Sequence, residues 1–416
     1  MRKRTGDWRD LLSAYALALD SKKVYVGFLA TLYTVAVMVA ATIAYAEFHA
    51  LGLVARDGYS PALVALGDPQ GPGALLWHFV RGTGLQMLGT FLPLLNPLYD
   101  GSLGHFVLSA LVYVALFWAW SAPGGVVSRL TALEYARDDM PLLHEARAMV
   151  RSRRSAYFLA PMMPFIVILF LSVLNLLGGL IASCPLYIGR ILLIFPGLPL
   201  LLASTVVIVF LIVFGVLSFG LMTPAVSVGG KDAFESWSTA YSYVLWGLRR
   251  FICYTLLAGV IGAVASVVAW ALAELLIYCI HQTVDIGYIS ATPWMAYFAG
   301  VTDGRFGVTL GPASGGLEAV LSGVVVVFMV ALRALPAAYA FSYFFTANTI
   351  IFFLMRKDQD NIEVDEVYEE PAEEEGEVAG EAAEQPAAEQ KEQPAKAPGE
   401  GTAAAGGPRP PEGISE

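Results

Sequence analysis

Six stretches of the chain are almost unbroken runs of apolar residues: about 24–46, 104–122, 157–182, 191–221, 251–280 and 326–355. A hydrocarbon core about 30 Å thick needs roughly 20 apolar residues in a helix. Backbone groups in lipid have no water to bond, so each run is predicted to be helical. The pattern predicts an all-α fold, a polytopic membrane helix bundle of six spans within residues 24–357, preceded by a juxtamembrane helix (1–23). Residues 74–95 are also apolar, but Arg81 and Gln86 lie near their middle, with Gly82 and Gly84. That composition points to a re-entrant or interfacial helix; a seventh span would invert everything after it.

Basic residues orient the spans. Seventeen of them, including Arg2–Arg4, Lys22, Lys23, Arg147–Arg154, Arg249, Arg250, Arg356 and Lys357, fall on one side, and only Arg56, Arg81, Arg190 and Arg305 on the other. Both termini are therefore predicted to be cytoplasmic. Met1-Arg2-Lys3-Arg4 lies too far from the first apolar run, and that run is too long, for a cleavable signal, so the first span reads as an uncleaved anchor.

Between the spans the periodicity changes. Residues 8–20 put Trp8, Leu11, Leu12, Tyr15 and Leu19 on one face, which predicts a helix on the inner surface. Residues 125–155 read as two short cytoplasmic helices divided around Asp138-Asp139-Met140-Pro141. Residues 231–248 space Phe234, Trp237, Tyr241, Val244 and Leu248 by threes and fours, predicting an interfacial aromatic helix flat on the inner leaflet. Two outer loops, 47–103 and 281–316, are rich in Gly, Pro and aromatic residues. Span six stays apolar from Leu317 to Met355. Some 40 helical residues would cover about 60 Å, so this helix projects beyond the bilayer or kinks at Pro336.

Composition separates the chain into two electrostatic objects. Hydrophobic residues are 57% and charged residues 14%, well below the roughly 25% charge of soluble domains. Yet residues 358–416 hold 18 of the 35 acids and only three bases, a net charge of −15 against +5 for the rest. This Glu-, Ala- and Pro-rich tail cannot bury enough apolar surface to order itself and is predicted to be disordered. One piece differs: IEVDEVY (362–368) alternates apolar and acidic residues and is predicted to order against the bundle or a partner.

Chemistry is sparse. The five histidines (His49, His78, His105, His144, His281) lack metal-ligand spacing, and Gly-x-Ser-x-Gly, Walker A and HExxH motifs are absent. No catalytic, cofactor or metal residue is assigned, and no nucleic-acid partner is expected. Intramembrane ionisable residues are the default candidates. Glu274 in span five and Arg333 in span six fall at similar depth and could pair, as a functional charge pair, a structural salt bridge or two separate snorkelling side chains. Cys184 and Cys279 both fall on the outer side, where a disulfide is chemically permitted. Pro161, Pro164, Pro196 and Pro199 mark packing kinks or transporter-like broken helices. Ala36, Ala40 and Ala44, and Ala258, Gly262 and Ser266, form small-residue lines suited to close helix contact.

Three stretches carry a resemblance: GGVVSRLTALEYARDDMPLLHEARAMVRSRRSAYFLAP (124–161), TPAVSVGGKDAFESWSTAYSYVLWGLRRFICY (223–254) and SYFFTANTIIFFLMRKDQDNIEVDEVY (342–368). Together they resemble a group of uncharacterised bacterial multi-pass membrane proteins seen especially in planctomycete-type genomes. More loosely, the arrangement is similar to the Yip family and to the membrane domain of some glycerophosphodiester phosphodiesterases. The resemblance implies a bacterial inner-membrane location and supplies no mechanism. The sequence therefore predicts a non-enzymatic scaffold or accessory subunit engaging the lipid bilayer and protein partners through its cytoplasmic helices and acidic tail. The alternative is a transporter or permease subunit coupling through those helices.

Overall fold

The computed structural model describes residues 6–52, 102–182, 189, 191, 193–287 and 316–368, and among these every regular element is helical. A 3-10 turn (Trp8–Ser13) runs into α1 (Ala14–Leu17), followed by α2 (Ser21–Ala50), α3 (Leu103–Arg137), α4 (Leu143–Ser152) and α5 (Arg154–Ala182). A π-helical turn at Leu193–Gly197 leads into α6 (Leu198–Gly229), then α7 (Ala233–Trp246), α8 (Leu248–Gly287) and α9 (Gly316–Asp360). Among the described residues six stretches are long and apolar enough to cross a membrane: Ser21–Phe48, Leu103–Arg137, Arg154–Ala182, Leu193–Gly229, Leu248–Ile280 and Ala331–Asp360. They fall on the six apolar runs, and the chain is an all-α multi-pass membrane protein. Residues 74–95, the bulk of both outer loops and the tail beyond residue 368 lie outside the described residues.

The last span organises the others. α9 touches α2, α3, α6 and α8, and from Ile350 to Met355 every side chain is 0–1% exposed. Lipid removes the hydrophobic drive between spans, leaving close packing and interhelical hydrogen bonds to hold them. Both are present along α9. Thr349 meets Ser128 of α3 at 2.9 Å, and Thr346 meets Thr131 at 3.2 Å. Tyr343 donates to the Ala258 carbonyl of α8 at 2.7 Å, and Ser342 to the Ala18 carbonyl at 2.8 Å. Gly27 of α2 lies so close to α9 that a Cβ there would collide with the Ala338 carbonyl. Gly262 likewise makes room for the Tyr343 ring, so the Ala258–Gly262 line serves contact within the chain. Ala36 and Ala40 face outward instead.

The structure corrects one predicted element. Residues 125–137 are not a separate short helix; α3 continues through them to Arg137 and stops where Asp138 turns left-handed at φ 55°. Gly124 and Gly125 explain the continuity, since they admit the rings of Phe345 and Tyr157 against the helix backbone. That contact buries Val126, Val127, Leu130 and Ala132 in the bundle. α9 passes through Pro336 as one helix. In span four Pro196 sits in the π-helical turn and Pro199 in the first turn of α6, so the irregularity lies at the entry of the span.

α5 and the first half of α6 make the opposite pattern. Phe170, Leu176, Leu180, Val206 and Val209 are all more than half exposed, a surface suited to lipid. The ends of α3, α6 and α9 meet the starts of α2, α5 and α8 at one end of the bundle, called here the basic end.

Candidate functional site

A helix leaves its last carbonyls without intrahelical partners, and its dipole favours cations there. α6 ends inside the bundle at Gly229, followed by Gly230 at φ 62°, so those groups need partners from the protein. Three arrive from distant positions. Arg129 of α3, only 7% exposed, donates to the Ser227 carbonyl at 2.9 Å. Arg153, between α4 and α5, donates to the Gly230 carbonyl. The Tyr368 backbone N–H donates to the Val228 carbonyl at 2.9 Å. The Ser227 hydroxyl adds a 3.0 Å contact with the Tyr157 hydroxyl.

The third partner belongs to residues 361–368, which leave α9 at Asn361 (φ 55°) and run back over the end of α6 as a strap. Val367 is buried and Val364 packs against the central core. Arg356 fixes the middle of the strap by donating to the Glu366 carbonyl at 2.7 Å. Tyr368 fixes its end, with the Arg153 guanidinium 4.7 Å from the ring centroid and bonded to the hydroxyl at 2.8 Å. The Tyr368 ring occupies the space a Cβ of Gly230 would need. The alternating apolar and acidic positions of this segment are thus read out as inward and outward sides.

The N-terminal segment closes the opposite flank. Leu11, Ala14 and Ala18 are fully buried against the bundle. Asp10 accepts from the Gly6 N–H at 2.8 Å and from the Tyr135 hydroxyl at 2.9 Å. Lys23, 0% exposed, pairs with Glu134 at 2.6 Å and donates to the Leu17 carbonyl at 3.1 Å. Trp8, Leu12, Tyr15 and Leu19 face outward. The predicted apolar face is therefore split: Leu11 turns to the core, and the other four form an exposed stripe suited to the headgroup region.

α7 rests on α5 and α6. Its buried positions are Ser236, Ala240, Tyr243 and Val244, while Phe234 is 63% exposed. Phe234, Trp237 and Tyr241 form a ladder of edge-on rings, each 5.5 Å from the next, along the border between the two sides. The Tyr241 hydroxyl reaches the Leu211 carbonyl at 2.8 Å. Burial raises the Tyr241 phenol pKa. Tyr243 donates to Asp360, and burial followed by this carboxylate raises its phenol pKa further. The same end of α9 is held by Arg250 and Tyr254, both 3.1 Å from Asp358.

Of the other candidates, Glu274 and Arg333 are in contact, with Oε1 and Nε 3.6 Å apart and both side chains partly exposed. This is an ion pair, longer than a hydrogen bond. Cys279 is exposed; Cys184, and with it the candidate disulfide, lies outside the described residues. Among the described residues no three His, Cys, Asp or Glu side chains are grouped to hold a metal ion. Arg129 and Arg153 read from sequence alone as loop charges, and no spacing signal marks them as partners of the α6 terminus.

No family model, no curated protein and no solved structure matches this chain.

Proposed function

We propose that this protein is a non-enzymatic membrane scaffold or accessory subunit of a membrane complex, presenting its basic end to protein partners. The observation that carries the reading is how that end is built. The N-terminal segment, α7 and the strap are tied to the bundle by side-chain bonds between remote positions: Tyr135 to Asp10, Tyr241 to the Leu211 carbonyl, and Arg153 to Tyr368. Such construction makes a fixed surface, and fixed surfaces lower the ordering cost of binding. The basic bias supports a cytoplasmic position for this end and for both termini. The resemblance to bacterial multi-pass proteins supports the inner membrane. Isolation from native membranes in mild detergent should yield a stoichiometric partner that is lost when residues 361–416 are deleted. A protein that is consistently solitary, with or without that segment, would overturn the proposal.

A second reading is a transporter or permease subunit. The π-helical turn containing Pro196 at the entry of span four favours it, because irregular backbone at membrane depth normally lines a cavity or is buried in protein. Solute flux into vesicles reconstituted with the purified protein discriminates between the readings.

A further inference from the structure

α4 turns Ala146, Met149 and Val150 into the bundle and leaves Arg147 and Arg151, one turn apart, exposed on its other side. Arg154, the first residue of α5, is also exposed. Among the described residues none of these three guanidinium groups meets a carboxylate. The direction of Arg154 is unusual. α3 and α5 run in opposite directions, and the Phe117 and Phe165 rings, 5.4 Å apart, set their register. From that level Trp118 is the next residue of α3, whereas Arg154 lies three turns of α5 away, about 16 Å. Yet the Arg154 guanidinium lies over the Trp118 ring at 4.7 Å. Its side chain is therefore turned toward the apolar part of the bundle, where an arginine at a helix end would ordinarily snorkel to water. Trp118 itself tops an outward stripe: Leu111, Val114 and Trp118, at i, i+3 and i+7, share one face of α3 and are all exposed. Within a span, such a face lies against acyl chains.

We infer that Arg147, Arg151 and Arg154 bind the phosphate of an anionic phospholipid, whose acyl chains lie along the Leu111–Trp118 face of α3. Guanidinium groups hold phosphate oxygens two at a time, and a ring beneath the cation fixes its position. Trp side chains gather at the boundary between headgroups and hydrocarbon, so the lipid brings its anion to the height at which Arg154 is turned. A soluble acidic partner approaches from the water side, where it meets Arg147 and Arg151 but not the guanidinium folded down onto Trp118. Basic pockets between spans are a recurrent means of holding acidic headgroups. A zwitterionic choline lipid fits less well, because its ammonium group would join three unpaired cations. The neighbouring Arg153 takes no part, since the Gly230 carbonyl and Tyr368 occupy it. The inference is independent of which partner the protein serves.

Native mass spectrometry of the full-length protein, titrated in detergent with phosphatidylglycerol or phosphatidylcholine, tests the inference. The parent should bind the first lipid more tightly by about five-fold or more. Arg154→Gln should bring the two lipids close to equal retention, and the double change Arg147→Gln and Arg151→Gln should also reduce the preference. Trp118→Leu keeps every charge but removes the ring under Arg154, and should lower the preference about two-fold. Arg249→Gln removes an equally exposed charge from the start of α8, which packs chiefly on α9, and should leave the preference unchanged. All these side chains are exposed, so the variants should melt with the parent. A parent that retains both lipids equally would overturn the inference and leave the row to an acidic protein surface. Equal losses in Arg154→Gln and Arg249→Gln would overturn it as well, by reducing the selectivity to diffuse surface charge.

Discussion

Arg153 and Tyr368, separated by 215 residues of sequence, hold the strap to the end of α6: the guanidinium stacks on the ring and donates to its hydroxyl. Tyr368→Ala removes both contacts and should free the strap. Tyr368→Phe removes only the hydroxyl, whose bond to a charged group contributes about 1.5–3 kcal/mol. Hydrogen exchange at residues 362–368 should therefore speed up strongly in the alanine variant and partly in the phenylalanine variant. Equal protection in all three proteins would show that the Arg153–Tyr368 pair does not hold the strap.

Arg129 makes a sharper case because it is buried. Arg129→Met fits the space but leaves the Ser227 carbonyl without its donor, and an unsatisfied buried group costs about 1–3 kcal/mol. Thermal unfolding in detergent should shift down accordingly, with Arg129→Lys falling between. A methionine variant as stable as the parent would show that Ser227 finds another donor.

Two glycines on spans that each pack against α9, Gly27 on α2 and Gly259 on α8, should respond oppositely. Gly27→Ala forces a methyl group against the Ala338 carbonyl, main chain that cannot rotate away. The expected loss is at the upper end of the 1–3 kcal/mol typical of overpacking. Gly259 has open space around its Cβ position, so Gly259→Ala should be neutral or gain up to about 1 kcal/mol of helix propensity. Side-by-side melting curves decide between these outcomes.

Glu274 and Arg333 give a double-mutant test. Reversing either charge should destabilise the protein, and reversing both should recover at least about 0.5 kcal/mol relative to the sum of the single changes. Strictly additive losses would mean that the two side chains reach the headgroup region independently.

Tyr243 sets an alkaline limit on the basic end. Its folded pKa is raised, first by burial and then by Asp360, from an ordinary value of 10.0. The folded state therefore keeps the phenol protonated where the unfolded chain begins to ionise. The associated stability is complete below about pH 10 and is lost as pH rises further. Tyr243→Phe should flatten that alkaline decline, which melting curves between about pH 8 and 11 would show.

Several of these features were legible beforehand for a physical reason. Spans are local, because lipid demands a continuous apolar run, and all six were readable from hydropathy. The strap was readable because alternation along IEVDEVY is also local. The capping of α6 was not. Its partners come from α3, the α4–α5 junction and the chain's far end, and sequence spacing carries no sign that Arg129, Arg153 and Tyr368 converge on one helix terminus. α3 was cut short for a related reason. Arg129, Glu134 and Arg137 look like the charges of a loop, whereas Arg129 is buried between spans and Lys23 neutralises Glu134. Hydropathy registers a charge and is blind to the partner that satisfies it.

The position of α9 at the centre has a consequence for biosynthesis. Tyr15 and Ala18 near the beginning of the chain offer their carbonyls to Tyr339 and Ser342, each 324 residues later. The first segment leaves the ribosome long before its binding surface exists. Spans one to four can pack on one another, but α8 has α9 as its main neighbour and must wait in lipid until that span is delivered. A message truncated before α9 would release a protein that is inserted yet only partly assembled, its fifth span and N-terminal segment left without their surface for quality-control proteases to meet.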